Sequence, residues 1–281
     1  LCQGKIWSDI AKNKLNIESS RVKVINNWTA TRSLISIGAQ RQYNETNIPK
    51  LLFIGWLESY KGIFELMNAT KNIINSGIDF KLSIAGRGSA EIPVKSFISE
   101  NDLEENVTML GWQEPDLLEN SLSSHDIFIL PSYKEGLPNA MVEAMSAGLS
   151  SIVTSVGLIP DYIIDKEHAL LIPPRDSKSL EKAMRILILD NNLRENIAKN
   201  GHKLAKNSFS TDDTLEKLSK TIMELIINLS STIATISLIG VMVFFPIASL
   251  QFSHNPVDAP WCRKMPPQST HTQERLTHLA G

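Results

Sequence analysis

The sequence predicts an α/β protein with a doubly wound parallel sheet, and three observations support this prediction. From Leu51 onward, short apolar runs alternate with longer segments whose apolar residues recur at helical spacing. Glycine-containing loops follow several of the runs, as is typical where parallel strands end. The composition is globular, with 42% hydrophobic and 21% charged residues, so a sizeable core can form. Alternation of strand and helix indicates a parallel sheet with helices on both faces.

Six apolar runs are predicted as strands because each is short and bounded by turn residues. They cover residues 51–55, 80–85, 107–110, 127–130, 151–154 and 169–172. The helix after the first run has one apolar face and ends at Gly77. Further helices are predicted over residues 140–147, 177–189, 192–206 and from 212 onward.

The segment ahead of the first strand has a weaker pattern. Residues 6–15 are predicted as a short amphipathic helix and residues 22–25 as a strand. Residues 32–49 are polar and contain several turn-forming residues, so they are predicted to be a linker.

Composition and missing motifs exclude several classes of function. A formal charge of −2 and a pI near 6.4, without a dense basic run, argue against nucleic-acid binding. Cys2 and Cys262 lie near opposite ends of the chain, which fits a reducing compartment and no disulfide framework. The sequence has no histidine spacing of a zinc site, no G-x-S-x-G elbow and no P-loop. We therefore predict no metal site and no cofactor.

Residues 126–148, DIFILPSYKEGLPNAMVEAMSAG, are the most informative stretch of the chain. A buried strand leads through a short loop to a helix with Pro138 in its first turn. Open α/β sheets bind ligands at this kind of loop, and the start of a helix attracts phosphate through its N–H groups and its dipole. Gly136 lets the backbone come close to a ligand. The stretch therefore favours a nucleotide diphosphate.

Two carboxylates frame this loop. Glu135 stands just before the helix, and Glu143 lies eight residues later in its second turn. An ionised carboxylate only accepts hydrogen bonds, so near a ligand it suits hydroxyl-rich groups such as ribose or a sugar. Taken alone, each acid has another interpretation: Glu135 complements the helix dipole, and Glu143 is solvated surface.

The segment E-G-L-P-N-A-M-V-E-A-M-S-A-G resembles the E-x7-E signature of the retaining glycosyltransferases of family 4, also called glycosyl transferases group 1. The flanking segments D-I-F-I-L-P-S, T-S-V-G and L-L-I-P-P-R-D are similar to that family too. The resemblance implies a GT-B fold of two facing Rossmann-like domains, with Glu135 on the donor sugar and Glu143 on the ribose. The diphosphate would be held at the junction of loop and helix, which is formed by Gly136, Leu137, Pro138 and Asn139.

The loop after the first strand is similar to a second donor-binding element of the family. The family has G-R-L followed by K-G there, and its Arg and Lys neutralise the donor diphosphate. Gly55, Lys61 and Gly62 match this pattern. Trp56 stands in place of the Arg, which replaces a forked cation by an aromatic face. A solvated surface lysine is the alternative interpretation of Lys61.

Two further loops resemble nucleotide-binding elements less specifically. Gly86 and Arg87 match a short glycine turn near the donor phosphates, although Arg87 is also an ordinary turn residue. A dinucleotide fingerprint is disfavoured because Glu91 occupies the place of its third glycine. Trp112 follows the third strand, where the family often places the nucleobase; a core or rim tryptophan is the alternative.

The resemblance also implies a domain organisation. The chain begins with Leu, and in the family a strand similar to residues 22–25 ends the acceptor domain. We therefore expect residues 1–44 to be a remnant of the acceptor domain and a linker, with the N-terminal acceptor domain largely missing. Residues 45–210 are expected to form the nucleotide-sugar-binding Rossmann-like domain.

The C-terminal part changes character. Residues 211–252 are predicted as a helix that continues into an apolar segment, and residues 225–252 carry no charge over a length that could span a membrane. Three interpretations stay open: membrane association through residues 225–250, a helix that packs on the missing domain, or a tail foreign to the domain. Residues 253–281 are predicted to be disordered.

The implied reaction is metal-independent transfer of a sugar, with retention, from a nucleotide-diphosphate sugar to a glycan or lipid-linked acceptor. Lys61 and Glu135 are the predicted catalytic residues: Lys61 stabilises charge on the leaving diphosphate, and Glu135 orients the sugar. The fragment alone is expected to be inactive or slow. The alternative is a non-catalytic nucleotide-sugar-binding or membrane-tethered interaction module. The predicted location is cytoplasmic, with or without membrane association.

Overall fold

A six-stranded parallel sheet forms the centre of the molecule. The computed structural model describes residues 4–26, 28–43 and 48–236. The strand order across the sheet is β3-β2-β1-β4-β5-β6. The predicted α/β fold with a doubly wound parallel sheet is therefore confirmed. The strands are β1 (Lys50–Ile54), β2 (Lys81–Ala85), β3 (Val107–Gly111), β4 (Ile127–Leu130), β5 (Ser150–Thr154) and β6 (Leu170–Ile172).

Helices connect the strands and cover both faces of the sheet. The chain moves outward from β1 to β3 and then returns to β4 beside β1, so right-handed crossovers place the two sets of helices on opposite faces. In chain order, the helices of the described ranges are α1 (Lys5–Asn13), α2 (Arg32–Gln40), α3 (Ile63–Asn75), α4 (Glu91–Glu100), α5 (Pro115–Ser124), α6 (Asn139–Ser146), α7 (Ile159–Tyr162), α8 (Ser177–Leu189), α9 (Asn191–Phe209) and α10 (Thr211–Ile236). In agreement with the two layers, α3 packs with α4 and α8, whereas α6 packs with α2 and α9.

The central strands are buried on both faces. All residues of β4 and β5 are buried, and Phe53 of β1 has no exposed surface. Continuous apolar runs such as IFIL suit strands that helices cover on both sides. Polar residues of β5 hold the neighbouring loop, since the Thr154 hydroxyl donates a 2.6 Å hydrogen bond to the carbonyl of Ser132. The core therefore fixes the place where the loop after β4 begins.

Residues 32–49, predicted as a linker, contain helix α2, which the sequence analysis did not predict. Thr31 caps the helix by accepting a 3.3 Å hydrogen bond from the Leu34 backbone N–H, and Leu34 is 4% exposed. Gly38 approaches α6 so closely that a Cβ would lie 2.3 Å from the Ser146 carbonyl oxygen. The helix was missed because it buries only a narrow face and most of its residues are exposed.

The strand predicted over residues 22–25 is also wrong, because only Val24 makes an isolated bridge there. The following segment packs instead against the junction of α9 and α10. The Ala30 N–H donates to the Phe209 carbonyl, and the Thr211 N–H donates to the Ala30 carbonyl, both at 3.1 Å. The segment before the sheet is thus joined to the C-terminal helices.

Helix α10 extends to Ile236, where the described part of the chain ends. Leu225, Ile226 and Ile227 are each more than half exposed. Within the described ranges, no helix combines the length and the apolar character needed to cross a bilayer. Most of the predicted apolar segment, residues 225–252, and the whole predicted tail, residues 253–281, lie outside the described residues.

Candidate functional site

The candidate site lies at the carboxyl edge of the sheet, where β1 and β4 are neighbours. β1 leads through α3 to β2 on one side, and β4 leads through α6 to β5 on the other. The loops that leave these two strands therefore diverge and leave a crevice, the usual ligand position in open α/β sheets. The Tyr133 N–H of the β4 loop donates a 2.8 Å hydrogen bond to the Tyr60 carbonyl of the β1 loop. This bond holds the two loops side by side.

The two predicted catalytic residues meet at this crevice. Lys61 Nζ lies 2.7 Å from Glu135 Oε1, and the side chains are only 15% and 10% exposed. Gly62 makes the approach possible: its backbone is left-handed (φ 71°), and a Cβ there would lie 2.0 Å from the Pro131 carbonyl oxygen. Gly62 therefore lets the β1 loop turn against the β4 loop and delivers Lys61 to Glu135.

The β4 loop leads directly into the amino end of α6. Pro138, which has no side-chain group that could cap a helix, is the N-cap residue, and Asn139 begins the helix. Gly136 is exposed, and no atom lies within 4 Å of the position that a Cβ would take, so its backbone is open to a ligand. The first turn of a helix presents N–H groups and the positive end of the helix dipole. This junction is therefore suited to an anion such as a diphosphate.

Glu143 lies in the second turn of α6 and is partly buried. Within the described part of the chain, its carboxylate has neither an ion-pair nor a hydrogen-bond partner, and burial raises the pKa of this carboxyl to about 7. A charged carboxylate in such a place is unfavourable unless a ligand brings hydrogen-bond donors. Ribose hydroxyls are donors of this kind.

The substitution Glu143→Gln is expected to stabilise the protein at alkaline pH. The folded-state pKa of about 7 is above the ordinary value of 4.5, so wild-type stability falls as the pH rises through this window. Glutamine carries no charge and avoids this loss. We expect a gain of about 1–3 kcal/mol at pH 8 and a much smaller gain at pH 5. Urea unfolding of the wild type and the variant at both pH values measures the difference. Equal free energies of unfolding of the two proteins at pH 8 would contradict the burial of this charge.

A loop that the sequence did not single out as part of the site supports Glu135. Gly157, after β5, has a left-handed backbone (φ 61°), and a Cβ there would lie 2.0 Å from the Glu135 carbonyl oxygen. The Leu158 N–H donates a 3.0 Å hydrogen bond to the Gly136 carbonyl. The glycine of T-S-V-G is visible in the sequence, but its contact with Glu135 requires β4 and β5 to be neighbours.

Trp56, Arg87 and Trp112 form a second cluster of predicted residues. The ring centroids of Trp56 and Trp112 are 5.7 Å apart, with 40° between the ring planes. The Arg87 guanidinium lies 5.3 Å from the Trp112 ring centroid, within the range of a cation–π contact. Trp56 is 38% exposed, so part of its ring is accessible to a planar group. The three loops after β1, β2 and β3 thus contribute to one aromatic surface.

Close backbone packing brings these loops together. Gly86 has φ 145°, and a Cβ there would lie 1.8 Å from the Gly55 carbonyl oxygen. The Leu57 N–H donates a 2.8 Å hydrogen bond to the Arg87 carbonyl. The structure therefore groups the predicted residues into two clusters at one edge of the sheet: the Lys61–Glu135 pair with the start of α6, and the aromatic cluster of Trp56, Arg87 and Trp112.

Two cations that the sequence did not single out lie over tyrosine rings of the β1 and β4 loops. Lys134 Nζ is 5.2 Å from the ring centroid of Tyr60, and Lys61 Nζ is 5.6 Å from the same centroid. The Arg175 guanidinium is 4.7 Å from the ring centroid of Tyr133. Among the described residues, no carboxylate lies within ion-pair distance of Lys134 or Arg175. The rings hold these charges near the crevice without neutralising them.

A cavity of about 390 Å³ lies elsewhere, at the amino edge of the sheet. The Arg194 guanidinium in its lining donates to the Leu187 carbonyl at 2.7 Å and is therefore already engaged. This cavity contains none of the predicted site residues. Its lining consists of Pro49, Gly77, Ile78, Asp79, Ile188, Leu189, Asn191 and Arg194.

Comparison with known proteins identifies relatives of the chain. The family described as glycosyl transferases group 1 matches residues 39–204, more than half of the chain. The glycosyltransferase CapM of capsular polysaccharide biosynthesis in Staphylococcus aureus is 28% identical over 174 residues, which cover 59% of this chain and 43% of CapM. The alpha-D-kanosaminyltransferase of Streptomyces kanamyceticus is 24% identical over 180 residues, which cover 64% of this chain and 47% of that enzyme. The chain therefore spans less than half the length of either relative.

Solved structures agree with the fold. Anabaena HepE in complex with UDP-glucose superposes with a TM-score of 0.64 at 19% identity, covering 79% of this chain and 63% of HepE. The C-terminal domain of LpcC, a group 1 glycosyl transferase protein from Francisella tularensis, superposes with a TM-score of 0.54 at 24% identity, covering 61% of this chain and 92% of that domain. The range matched by the family contains the whole sheet and the crevice at its carboxyl edge. The chain therefore belongs to the glycosyl transferases group 1 family and has the α/β architecture of a GT-B domain.

Proposed function

We propose that this chain is the donor-binding part of a retaining, metal-independent glycosyltransferase. The proposed donor is a nucleotide-diphosphate sugar, and the proposed acceptor is a glycan or a lipid-linked glycan. One observation carries the proposal: Lys61 and Glu135 are paired beside the start of α6, in the crevice between β1 and β4. A cation suited to phosphate and an acid suited to sugar hydroxyls are thus adjacent. Crystal structures of HepE with UDP and with UDP-glucose support this class of donor.

The donor lies along the carboxyl edge in this proposal. Its diphosphate rests against the first turn of α6 and contacts Lys61, and its sugar hydroxyls donate to Glu135. The ribose reaches Glu143, whose carboxylate gains the donors that the described residues do not give it. The nucleobase packs on the aromatic cluster, where the Trp56 ring is accessible.

The reaction replaces one bond of the anomeric carbon by another on the same face of the sugar. The bond to the phosphate oxygen breaks, its electron pair stays on the diphosphate, and the sugar becomes oxocarbenium-like. The acceptor oxygen then bonds to the anomeric carbon, and its proton passes to the leaving diphosphate. Lys61 and the amides of α6 stabilise the negative charge that grows on the diphosphate.

Trp56 stands where the family pattern has an arginine, so the diphosphate charge requires other cations. Arg87, Lys134 and Arg175 meet this requirement in our proposal, because each lies over an aromatic ring and has no acid within ion-pair distance among the described residues. Their charge is therefore available to a ligand.

Isothermal titration calorimetry with UDP-glucose, GDP-mannose and ADP-glucose tests the proposed donor class. We expect one nucleotide series to bind the 281-residue chain with a dissociation constant below about 1 mM. Uridine, guanosine and adenosine serve as controls and are expected to bind far more weakly, because they lack the diphosphate. If none of the nucleotide sugars binds at millimolar concentration, the proposed function is wrong.

A second candidate is a non-catalytic nucleotide-sugar-binding module, and Trp56 in place of the family arginine favours it. Transfer requires the facing acceptor domain of the family, so the present chain is expected to bind donor with little turnover by itself. Release of nucleoside diphosphate from bound donor, measured after the chain is joined to an acceptor domain of the family, separates the two candidates. Sustained release supports the enzyme, and binding without release supports the module.

A further inference from the structure

The Lys61–Glu135 ion pair occupies both groups that the proposed donor needs. The 2.7 Å contact is formed by side chains that are only 15% and 10% exposed, so water screens it weakly. Gly62 packs the Lys61 segment against the β4 loop, where a Cβ would lie 2.0 Å from the Pro131 carbonyl oxygen, and Gly157 packs the loop after β5 against Glu135, where a Cβ would lie 2.0 Å from the Glu135 carbonyl oxygen. The contact is therefore built into the fold and differs from a flexible pair on the surface.

A ligand that binds Lys61 breaks the ion pair, so Glu135 then requires another hydrogen-bond or ionic partner. Among the described residues, Lys61 is the one cation within ion-pair distance of Glu135. A buried carboxylate without a counter-ion or hydrogen-bond donors is strongly unfavourable. A nucleotide sugar can supply hydroxyl donors to Glu135 while its diphosphate takes Lys61. A free nucleoside diphosphate takes Lys61 and brings only more negative charge near the acid.

We infer that a bound donor replaces the Lys61–Glu135 ion pair by contacts of its own to both residues. Glu135 thereby makes the site prefer intact nucleotide sugar over free nucleoside diphosphate. This inference rests on the proposed function and concerns the same site. The preference has a consequence for turnover. Once the sugar has been transferred, the Lys61–Glu135 ion pair forms again and favours dissociation of the nucleoside diphosphate. Glu135 therefore contributes to product release in addition to orienting the sugar.

The substitution Glu135→Gln tests the inference because it removes the competing charge and keeps the shape of the side chain. The dissociation constants of UDP-glucose and UDP are measured by calorimetry for both proteins, or those of the GDP or ADP pair if the wild type binds that series. We expect UDP to bind about 3–10-fold more tightly to the variant and UDP-glucose to bind more weakly. The preference for the nucleotide sugar should then fall by at least about tenfold.

Two further variants separate this role from a structural one. Glu100→Gln removes an exposed acid at the far end of α4 and is expected to leave both constants within about twofold of the wild type. Glu135→Asp keeps the charge and should restore part of the preference. If Glu135→Gln weakens UDP and UDP-glucose by the same factor, or changes neither, the inference is overturned. A wild type that binds no nucleotide in any series overturns the proposed function itself.

Discussion

Replacing Lys61 by alanine is expected to remove donor binding and to destabilise the fold at the same time. The ammonium group is the cation that reaches both Glu135 and the proposed diphosphate position, so affinity for nucleotide sugar should fall at least about 100-fold, or about 3 kcal/mol. The substitution also leaves the Glu135 carboxylate, which is only 10% exposed, without its counter-ion. A loss of about 2–4 kcal/mol in the free energy of unfolding follows.

A double variant separates the two effects. Lys61→Ala with Glu135→Gln removes both charges, so most of the lost stability should return while donor binding stays absent. Lys95→Ala is the matched control, because Lys95 is 57% exposed and pairs with Glu91 on the surface of α4. It should change stability by less than about 0.5 kcal/mol. Urea unfolding and calorimetry on the four proteins give both quantities. A stable Lys61→Ala variant with unchanged donor affinity would contradict the proposed site.

Replacing Gly157 by alanine is expected to cause a large loss of stability through the backbone of the site. The added Cβ would lie 2.0 Å from the Glu135 carbonyl oxygen, and the left-handed backbone of Gly157 disfavours any side chain. Because the obstacle is backbone of the neighbouring loop, relief requires the Glu135 segment to move. We expect a loss of about 3 kcal/mol or more, together with weaker donor binding.

Gly77→Ala is the matched control for this substitution. Gly77 also has a left-handed backbone (φ 81°), but nothing lies within 4 Å of the position of its Cβ. The Gly77→Ala variant should lose about 1 kcal/mol in the free energy of unfolding, which is the contribution of the backbone conformation alone. Denaturant unfolding of both variants therefore isolates the steric contribution. Equal losses at Gly157 and Gly77 would show that the close approach to Glu135 does not constrain the loop.

The parts of this fold that the sequence predicted are those with strong local signals. The strand at Ile127–Leu130 is a continuous apolar run, and the helix after it has a proline at its start and a glycine after its end. Helix α2 was not predicted because only a narrow face of it is buried. In addition, its Gly38 packs closely against α6, a contact that the local sequence pattern does not reveal. Long-range packing determined that element.

The sequence pointed to residues that the structure brings together at the candidate site, but it did not predict their contacts. Glu135 and Lys61 were both identified, yet their ion pair joins positions that are 74 residues apart and depends on β1 lying beside β4. Arg175 was missed because its position depends on a left-handed backbone (φ 60°) and on the ring of Tyr133, which belongs to another loop. Spatial proximity of this kind follows from the topology of the sheet, which a motif does not contain.

The most direct test of the proposed donor site is a crystal structure of the chain with UDP-glucose, or with the nucleotide sugar that calorimetry selects. We predict that the diphosphate lies at the first turn of α6, with a phosphate oxygen within hydrogen-bond distance of Lys61 Nζ, and that contacts to the ligand replace the Lys61–Glu135 contact. A nucleotide sugar bound elsewhere, such as in the cavity beside Arg194 at the opposite edge of the sheet, would contradict it.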